Sequence, residues 1–445
     1  MRRFHVLVLA AALSVAGVSL ASGFKVNEQG AKGGAMGLAF VGQADNATTV
    51  ALNLAGIHQL TGTNVAFTWA DIYVPGREFE SNVPTAVIDG QEADSQLFTV
   101  PSTYITSDLG TTRWHVGLAI YNMFGLTQDW NDTGVTFGGA APPAGGFSRS
   151  ADRVSLKTTF INPVVAYEVI EDKLSFAAGF IAGYGDLKAD ATPVVNLIPF
   201  TLGVRELAQI EQDVDGWGFS FNVGVHAKLS DTVRAGAYYR HSLALDMDGE
   251  FDAERLNTVV FGAAGSFETD EDLELTLPGT VGFGVAWQAT PEFLVEVDGE
   301  YNTWEVFDTV DVDLENSLNS GAGAPVITSA TLTQHPEWES SWAARVGGQY
   351  SVSKCVDLRL GYFFDETPVP DDTLEATIPD ADRHGITTGA GFRCGSWIFD
   401  FAYMAVFTGD RDVNNTYSGP QNPVVDGEFS SDPVHVFMLT VGTGF

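Results

Sequence analysis

Residues 233–248 read VRAGAYYRHSLALDMD. Val233, Ala235, Ala237, Tyr239, His241, Leu243 and Leu245 fall on one side of an extended chain. Arg234, Gly236, Tyr238, Arg240, Ser242, Asp246 and Asp248 fall on the other. Residues 293–302, FLVEVDGEYN, repeat the pattern, with Phe293, Val295, Val297 and Tyr301 opposed to Glu296, Asp298, Glu300 and Asn302. Period two with one apolar side is a half-buried β-strand. It suits a soluble sandwich and an outer-membrane barrel equally, because the apolar side can meet either a core or lipid. Three other features separate them. Many strands exceed ten residues, whereas soluble strands average about five or six. Short turns such as 228–231 and 393–396 alternate with long loops rich in Gly, Pro, Asn and Asp, the asymmetry of outer-membrane barrels. The chain ends on Phe445, with Val441, Leu439 and Phe437 behind it on the same side.

The N-terminus agrees with a membrane destination. Arg2 and Arg3 precede an apolar run from Val6 to Ala12, and small residues lead to Ser19-Leu20-Ala21. A charged start, a short apolar core and a small-x-small site mark a signal peptide, cut here after Ala21. The apolar core is too short to span a bilayer, which takes about 20 residues. Of 445 residues, 57 are Asp or Glu and 22 are Lys or Arg, for a net charge of −35. Such a chain does not hold a nucleic-acid backbone by counterion release. With 45% apolar residues it is not a disordered acid either. Two cysteines exclude a disulfide scaffold and a four-cysteine zinc site.

Strands are predicted near 63–75, 96–108, 112–126, 153–170, 173–189, 215–229, 232–250, 271–288, 292–313, 337–352, 355–366, 382–394, 396–409 and 432–445. The fold class is therefore all-β, a transmembrane antiparallel β-barrel of about fourteen strands over residues 61–445. Trp69, Tyr73, Trp114, Trp287, Trp342, Tyr362 and Tyr403 sit toward strand ends, as interfacial girdles would. Residues 22–60 break the pattern. They are rich in Gly and Ala, show no alternation and are too few to fold alone. A barrel this wide leaks unless its lumen is filled, so this stretch reads as an N-terminal hatch, or plug, inside the barrel.

The blocks Ser22-Gly23-Phe24, Asn27-Glu28-Gln29-Gly30, Gln43-Ala44-Asp45-Asn46-Ala47 and Asn53-Leu54-Ala55-Gly56 resemble the hatch of the FadL/TodX-type outer-membrane transporters. Residues 161–167 (INPVVAY), 277–284 (LPGTVGFG) followed by Tyr301-Asn302-Thr303-Trp304, and 364–371 (FDETPVPD) followed by 378–383 (IPDADR) resemble strands of that family, in family order. Where the family hatch has Asn-Pro-Ala, this chain has Leu54 in place of the proline. The resemblance implies passive inward transport of long-chain fatty acids or other hydrophobic compounds at the outer membrane. Ligand would bind in the lumen beside the hatch and leave sideways into the bilayer through a kink in the third strand. Gly117 and Gly125 are the residues there that permit a kink. The implied partners are the hydrophobic ligand, membrane lipid and lipopolysaccharide, and the barrel-assembly machinery that reads the terminal Phe. A monomer is expected.

Specific residues follow from these readings. Phe24 is expected near the ligand, and Asn53 on barrel backbone. A buried fatty-acid carboxylate needs a cation. Alternation places Arg153, Lys157, Arg234, Arg240, Arg345 and Arg359 in the lumen, together with acids such as Asp246. Arg240 and Arg345, near mid-strand, are the expected anchors, with Lys157 as a further ligand contact. Pairing 355 with 394 puts 366 opposite 383 and leaves a loop over 367–382, so Cys355 and Cys394 are expected to form a cross-strand disulfide in an oxidising compartment. No catalytic motif, metal site or cofactor site is found. The eight histidines are scattered, and no catalytic activity is expected. An aqueous porin, and more remotely a barrel-type hydrolase, remain the alternatives.

Overall fold

The computed structural model describes residues 23–81, 91–130, 135–137, 147–192, 194–196, 204–206, 208–254, 265–315, 330–374, 378–414 and 426–445. The expected signal peptide, residues 1–21, lies outside them. Fourteen antiparallel strands form one ring. They are β1 (Thr63–Val74), β2 (Gln96–Ser107), β3 (Trp114–Tyr121 and Gly125–Asp129), β4 (Arg153–Ile170), β5 (Leu174–Ala191), β6 (Gln209–Lys228) and β7 (Val233–Arg240 and Leu243–Glu254). The ring continues with β8 (Phe267–Leu277 and Thr280–Gln288), β9 (Phe293–Asn302 and Val310–Leu314), β10 (Ala330–Gln334 and Ser341–Ser353), β11 (Val356–Asp365), β12 (Arg383–Cys394), β13 (Trp397–Thr408) and β14 (Val434–Gly444). Each strand pairs with the next, and β14 returns to β1 from Asn64↔Gly444 to Tyr73↔His435. Closure pairs every strand with two neighbours, as strands in lipid require, apart from one stretch between β2 and β3 where the ladder is incomplete.

The outer wall carries a belt of exposed apolar side chains. Phe219, Phe221 and Val223 on β6, Phe283 and Val285 on β8, and Leu358 and Leu360 on β11 belong to it. Trp69, Trp114, Trp287 and Trp342 are also exposed, as girdle residues are. Toward the long-loop end the outer wall changes character. On the unbroken strand β6 the outward face passes from Phe219 and Trp217 to Asp215, Asp213 and Glu211, all exposed. Exposed acids stand beside them on β7 and β8, with Asp215↔Asp248 and Asp248↔Asp272 as cross-strand neighbours. Much of the acidic excess is therefore stacked on the wall above the apolar belt.

The lumen changes character at the same level, because two strands slip by one residue. On β7, Tyr238 and Arg240 point inward, but beyond His241-Ser242 the inward residues are Leu243, Leu245 and Met247. On β8, Leu275 and Leu277 point inward, then Pro278-Gly279 intervene and Thr280 does. The two slips face each other, with Leu243↔Leu277 on one side and Arg240↔Thr280 on the other. A one-residue slip turns every later side chain to the opposite face. This corrects the expectation for Asp246 and Asp248, which stand on the exposed outer face.

Residues 23–60 lie within the ring. They form one helical turn (Ala31–Gly34) and two 3-10 turns (Ala47–Ala51 and Leu54–Gln59). The segment is tied to strands all around the wall. Ala31 N donates to Thr440 Oγ1 at 2.9 Å, Gly37 N to Thr387 Oγ1 at 2.8 Å, and Tyr104 Oη to the Gln29 carbonyl at 2.8 Å. The densest tie is to β9. Phe40 N and Val41 N donate to Asp298 Oδ2 at 2.7 and 2.9 Å, and Gly42 N and Gln43 N to Glu296 Oε1 at 2.6 and 3.0 Å. Backbone with no sheet of its own must find partners when buried, and two lumenal carboxylates supply four.

The cysteines correct the expected disulfide. The β11–β12 ladder pairs Asp365 with Arg383 and Val356 with Phe392, one residue off the expected register. Cys355 therefore lies opposite Arg393, whose N donates to the Cys355 carbonyl at 2.9 Å. Both cysteines are exposed free thiols.

Candidate functional site: an apolar lumen with an opening in its wall

Above the N-terminal segment the inward side chains are apolar. Leu245, Met247, Phe251, Leu273 and Val312 are all buried there and continuous with one core cluster. The slips on β7 and β8 bring these leucines inward. Where this lining meets the segment it becomes aromatic. Phe24 packs edge-on to Trp304 (4.8 Å between centroids) and Phe307 (5.7 Å), and lies 5.7 Å from Trp338 and 6.0 Å from Phe124. Trp304 is fully buried and its Nε1 has no hydrogen-bond partner. Gly23, at φ +65, lies against this cluster. A Cβ there would come within 2.4 Å of Trp304, so only glycine fits in both conformation and space.

Below the aromatic cluster lies a charged floor. Lys25 Nζ reaches Glu300 at 2.5 Å and Asn302 Oδ1 at 2.9 Å. Glu300 also accepts from Tyr238 Oη at 2.7 Å and from Arg345 at 3.2 Å, and Arg345 lies 3.7 Å from Asp365. Burial pulls the Lys25 ammonium down to about 8, against the opposing attraction of Glu300. Arg345 is thus committed to internal acids. Arg359, equally buried, is committed to Asp400 and Asp357.

Arg240 differs. It is 3% exposed, yet no carboxylate stands within ion-pair distance of it among the described residues. Its guanidinium donates to the Ala51 carbonyl and to Met123 Sδ, lies 5.9 Å from the Tyr121 ring centroid, and leaves Nε without a partner. A buried cation without a counterion is costly, and it sits where the lining turns from polar to apolar.

The wall opens beside it. β3 is interrupted at Asn122-Met123-Phe124. β2 pairs with β3 only from Thr103↔Ile120 to Ser107↔Val116, while the second half of β3 pairs with β4 alone. Residues 96–102 of β2 therefore have no β3 neighbour. The N-terminal segment fills the interruption from inside: Val26 N donates to the Met123 carbonyl at 2.7 Å and Gly125 N to the Phe24 carbonyl at 3.0 Å. A cavity of about 450 Å³ occupies the gap, lined by Val26, Phe124 and Leu126 on its inner side and by Leu97, Arg153 and Lys157 on its outer side.

The structure brings Phe24 and Arg240 to the chamber and sets Gly125 at the break. Gly117 lies in the unbroken part of β3, where a Cβ would press within 3.0 Å of Val164 and Val50, so it serves packing. Lys157 and Arg153 are corrections. Leu156 and Thr158 face inward, and the two cations are exposed on the outside, because the inward parity of β4 runs through its even residues. Asn53 donates from Nδ2 to the barrel carbonyl of Val225 at 3.1 Å and to the Val41 carbonyl at 3.0 Å. Gly224 and Gly236 make room for it. Leu54 and Ala55 are fully buried, and Gly56 N closes the turn by donating to the Asn53 carbonyl at 2.9 Å. Sequence reasoning missed Trp338, Phe307 and the Glu296–Asp298 tie. The only signal for the tie was two acids two residues apart on a lumenal face.

The model of the outer membrane protein transport protein family (OMPP1/FadL/TodX) matches residues 12–445. A long-chain fatty acid transport protein of Salmonella typhi is 24% identical over 396 residues, covering 83% of this chain and 84% of that protein. A 47 kDa outer membrane protein of Pasteurella multocida is 25% identical over 406 residues, covering 88% of each. Among solved structures, a FadL homologue of Pseudomonas aeruginosa superposes with a TM-score of 0.78 at 16% identity, over 95% of this chain and all of that one. The toluene transporter TodX of Pseudomonas putida superposes with a TM-score of 0.68 at 16% identity, with the same coverage.

Proposed function

The chain belongs to the outer membrane protein transport family (OMPP1/FadL/TodX), and from that premise we propose that it carries hydrophobic compounds inward across the outer membrane without catalysis. Of the relatives named above, the Salmonella typhi protein is a long-chain fatty acid transport protein and TodX is a toluene transporter. Residues 22–60 act as the hatch that closes the lumen, after removal of residues 1–21 as a signal peptide. Ligand collects against the apolar lining, reaches the aromatic cluster around Phe24, and leaves through the gap between β2 and β3 into the bilayer. Passive release is reasonable physically, since an acyl chain loses little on moving from an apolar pocket to lipid. The chain works as a monomer, set in lipid and lipopolysaccharide.

One observation carries this reading. Phe124, at the interruption of β3, borders both the aromatic chamber and the wall cavity, and Val26 of the N-terminal segment lines the cavity beside it, so a barrel residue and the hatch's N-terminal residues together form the partition between them. Arg240 is the anchor for an acid head group, because its guanidinium fork suits a carboxylate and no internal acid occupies it. Arg345 is withdrawn from that role by Glu300 and Asp365. The test is equilibrium binding of oleate to the purified protein. Arg240→Ala is expected to weaken oleate binding at least tenfold relative to oleyl alcohol. Equal loss for both ligands, or no loss, overturns the anchor. An aqueous porin would instead admit sugars rapidly in liposome swelling, which the filled lumen argues against.

A further inference from the structure

The side opening carries a cation on each face. Arg240 touches Met123 from inside. Lys157 stands outside, opposite Gly125 on β3 and Asp186 on β5, and lines the cavity. Lys157 makes no ion pair among the described residues, whereas its neighbour Arg153 lies 3.8 Å from Asp129. On a chain where acids outnumber bases 57 to 22, a lysine that makes no ion pair, with Asp186 across the ladder and the Arg153–Asp129 pair beside it, sets an available cation at the mouth of an apolar gap. A hydrocarbon gains nothing from it. An acid-headed amphiphile does, because its carboxylate must leave the Arg240 side, cross the three-residue interruption at 122–124, and regain a partner before the chain is free in lipid.

We propose that Lys157 is the exit station for a carboxylate head group, so that the opening is built to release long-chain acids, head outward, rather than neutral hydrocarbons alone. Lysine suits a transient partner. It is a flexible point charge on a long stem, which can follow a head group into the interface. The apolar inner lip of Val26, Phe124 and Leu126 passes the tail while the two cations hand over the head. Lys157 is thus a specificity-determining residue outside the lumen, and it acts on release rather than on capture. The proposal rests on the side-exit reading above.

The experiment compares oleate with oleyl alcohol, two ligands of matched chain that differ in head-group charge, in proteoliposomes carrying the full-length mature protein. Two readouts are taken, the flux ratio of acid to alcohol and the equilibrium affinity for oleate. Lys157→Gln is expected to lower the flux ratio about fivefold, the scale of one solvent-accessible ion pair, with oleate affinity retained. Lys157→Arg is expected to restore the ratio, and Lys157→Glu to lower it further. Lys188→Gln, which removes an exposed cation paired to Asp213 on the same wall, is the control for surface charge. An unchanged flux ratio in Lys157→Gln overturns the proposal. So does a loss of oleate affinity equal to that of Arg240→Ala, which would make Lys157 a capture residue. If neither ligand crosses the intact protein, the transport reading itself fails, and that outcome is distinct from the other two.

Discussion

Replacing Asp298 by alanine should free part of the N-terminal segment, residues 23–60, without unfolding the barrel. Asp298 Oδ2 accepts the N–H groups of Phe40 and Val41 at 2.7 and 2.9 Å, and these two N–H groups make no other hydrogen bond among the described residues. Each charge-assisted bond is worth about 1.5–3 kcal/mol, so losing two costs about 3–6 kcal/mol. Part is returned, because Glu296 two residues away on the same face is relieved of a like charge. The net cost to the docked state is about 2–4 kcal/mol. At about 1.4 kcal/mol per tenfold change, amides 40–43 should open about 30- to 700-fold more often. Hydrogen exchange followed by mass spectrometry on a peptide spanning 38–44, in detergent-purified protein, measures this. Asp298→Asn keeps one acceptor oxygen and should show a smaller rise. The ladder amides of β9 and β10 serve as the internal reference, since the 14-strand ring does not depend on this side chain. If Asp298→Ala leaves exchange at 40–43 at the intact rate while the ring stays protected, the carboxylates do not hold the N-terminal segment and the reasoning fails.

Two further expectations concern pH and thiols. Burial pushes the Glu28 carboxyl up to about 7, with the nearby Asp365 charge adding to the rise. A raised folded value means its contribution to docking of the N-terminal segment is fully present below about 4.5 and lost as pH climbs through 7. Once the base-catalysed intrinsic rate is divided out, exchange at amides 24–30 should therefore quicken between pH 5 and 8, by no more than about 3.4 kcal/mol in docking free energy, and Glu28→Gln should flatten that corrected profile; an unchanged corrected profile in the variant counts against it. Cys355 and Cys394 should both react with maleimide in protein purified without reductant, and a mass two hydrogens short with no labelling would restore the disulfide.

The alternation in residues 233–248 was enough to establish β-strands, and the sequence of strand lengths and turns was enough for a fourteen-strand ring, because a period-two pattern and a backbone that must be paired in lipid leave few solutions. The composition break at residues 22–60 marked the segment inside the ring, and family-like blocks marked Asn53 and Phe24. What alternation cannot state is which face is the inner one. On β7 the apolar residues stay on odd positions throughout, from Ala235 and Tyr239 to Leu243 and Leu245. The slip at His241-Ser242 carries the second group from the lipid side to the lumen, and with it sends Asp246 and Asp248 to the outer wall. The pattern is unbroken in sequence while the side chains change sides in space. The ladder decides this, since the slip on β7 is matched by Pro278-Gly279 on β8. The same holds for the cations. Sequence pooled Lys157, Arg240 and Arg345 as lumenal, whereas only the folded ring shows that Glu300 neutralises Arg345, that Arg240 is buried without a carboxylate, and that Lys157 stands outside at the gap. Whether a charge is spent or available depends on which strand brings which acid within reach, and that is a property of register and closure.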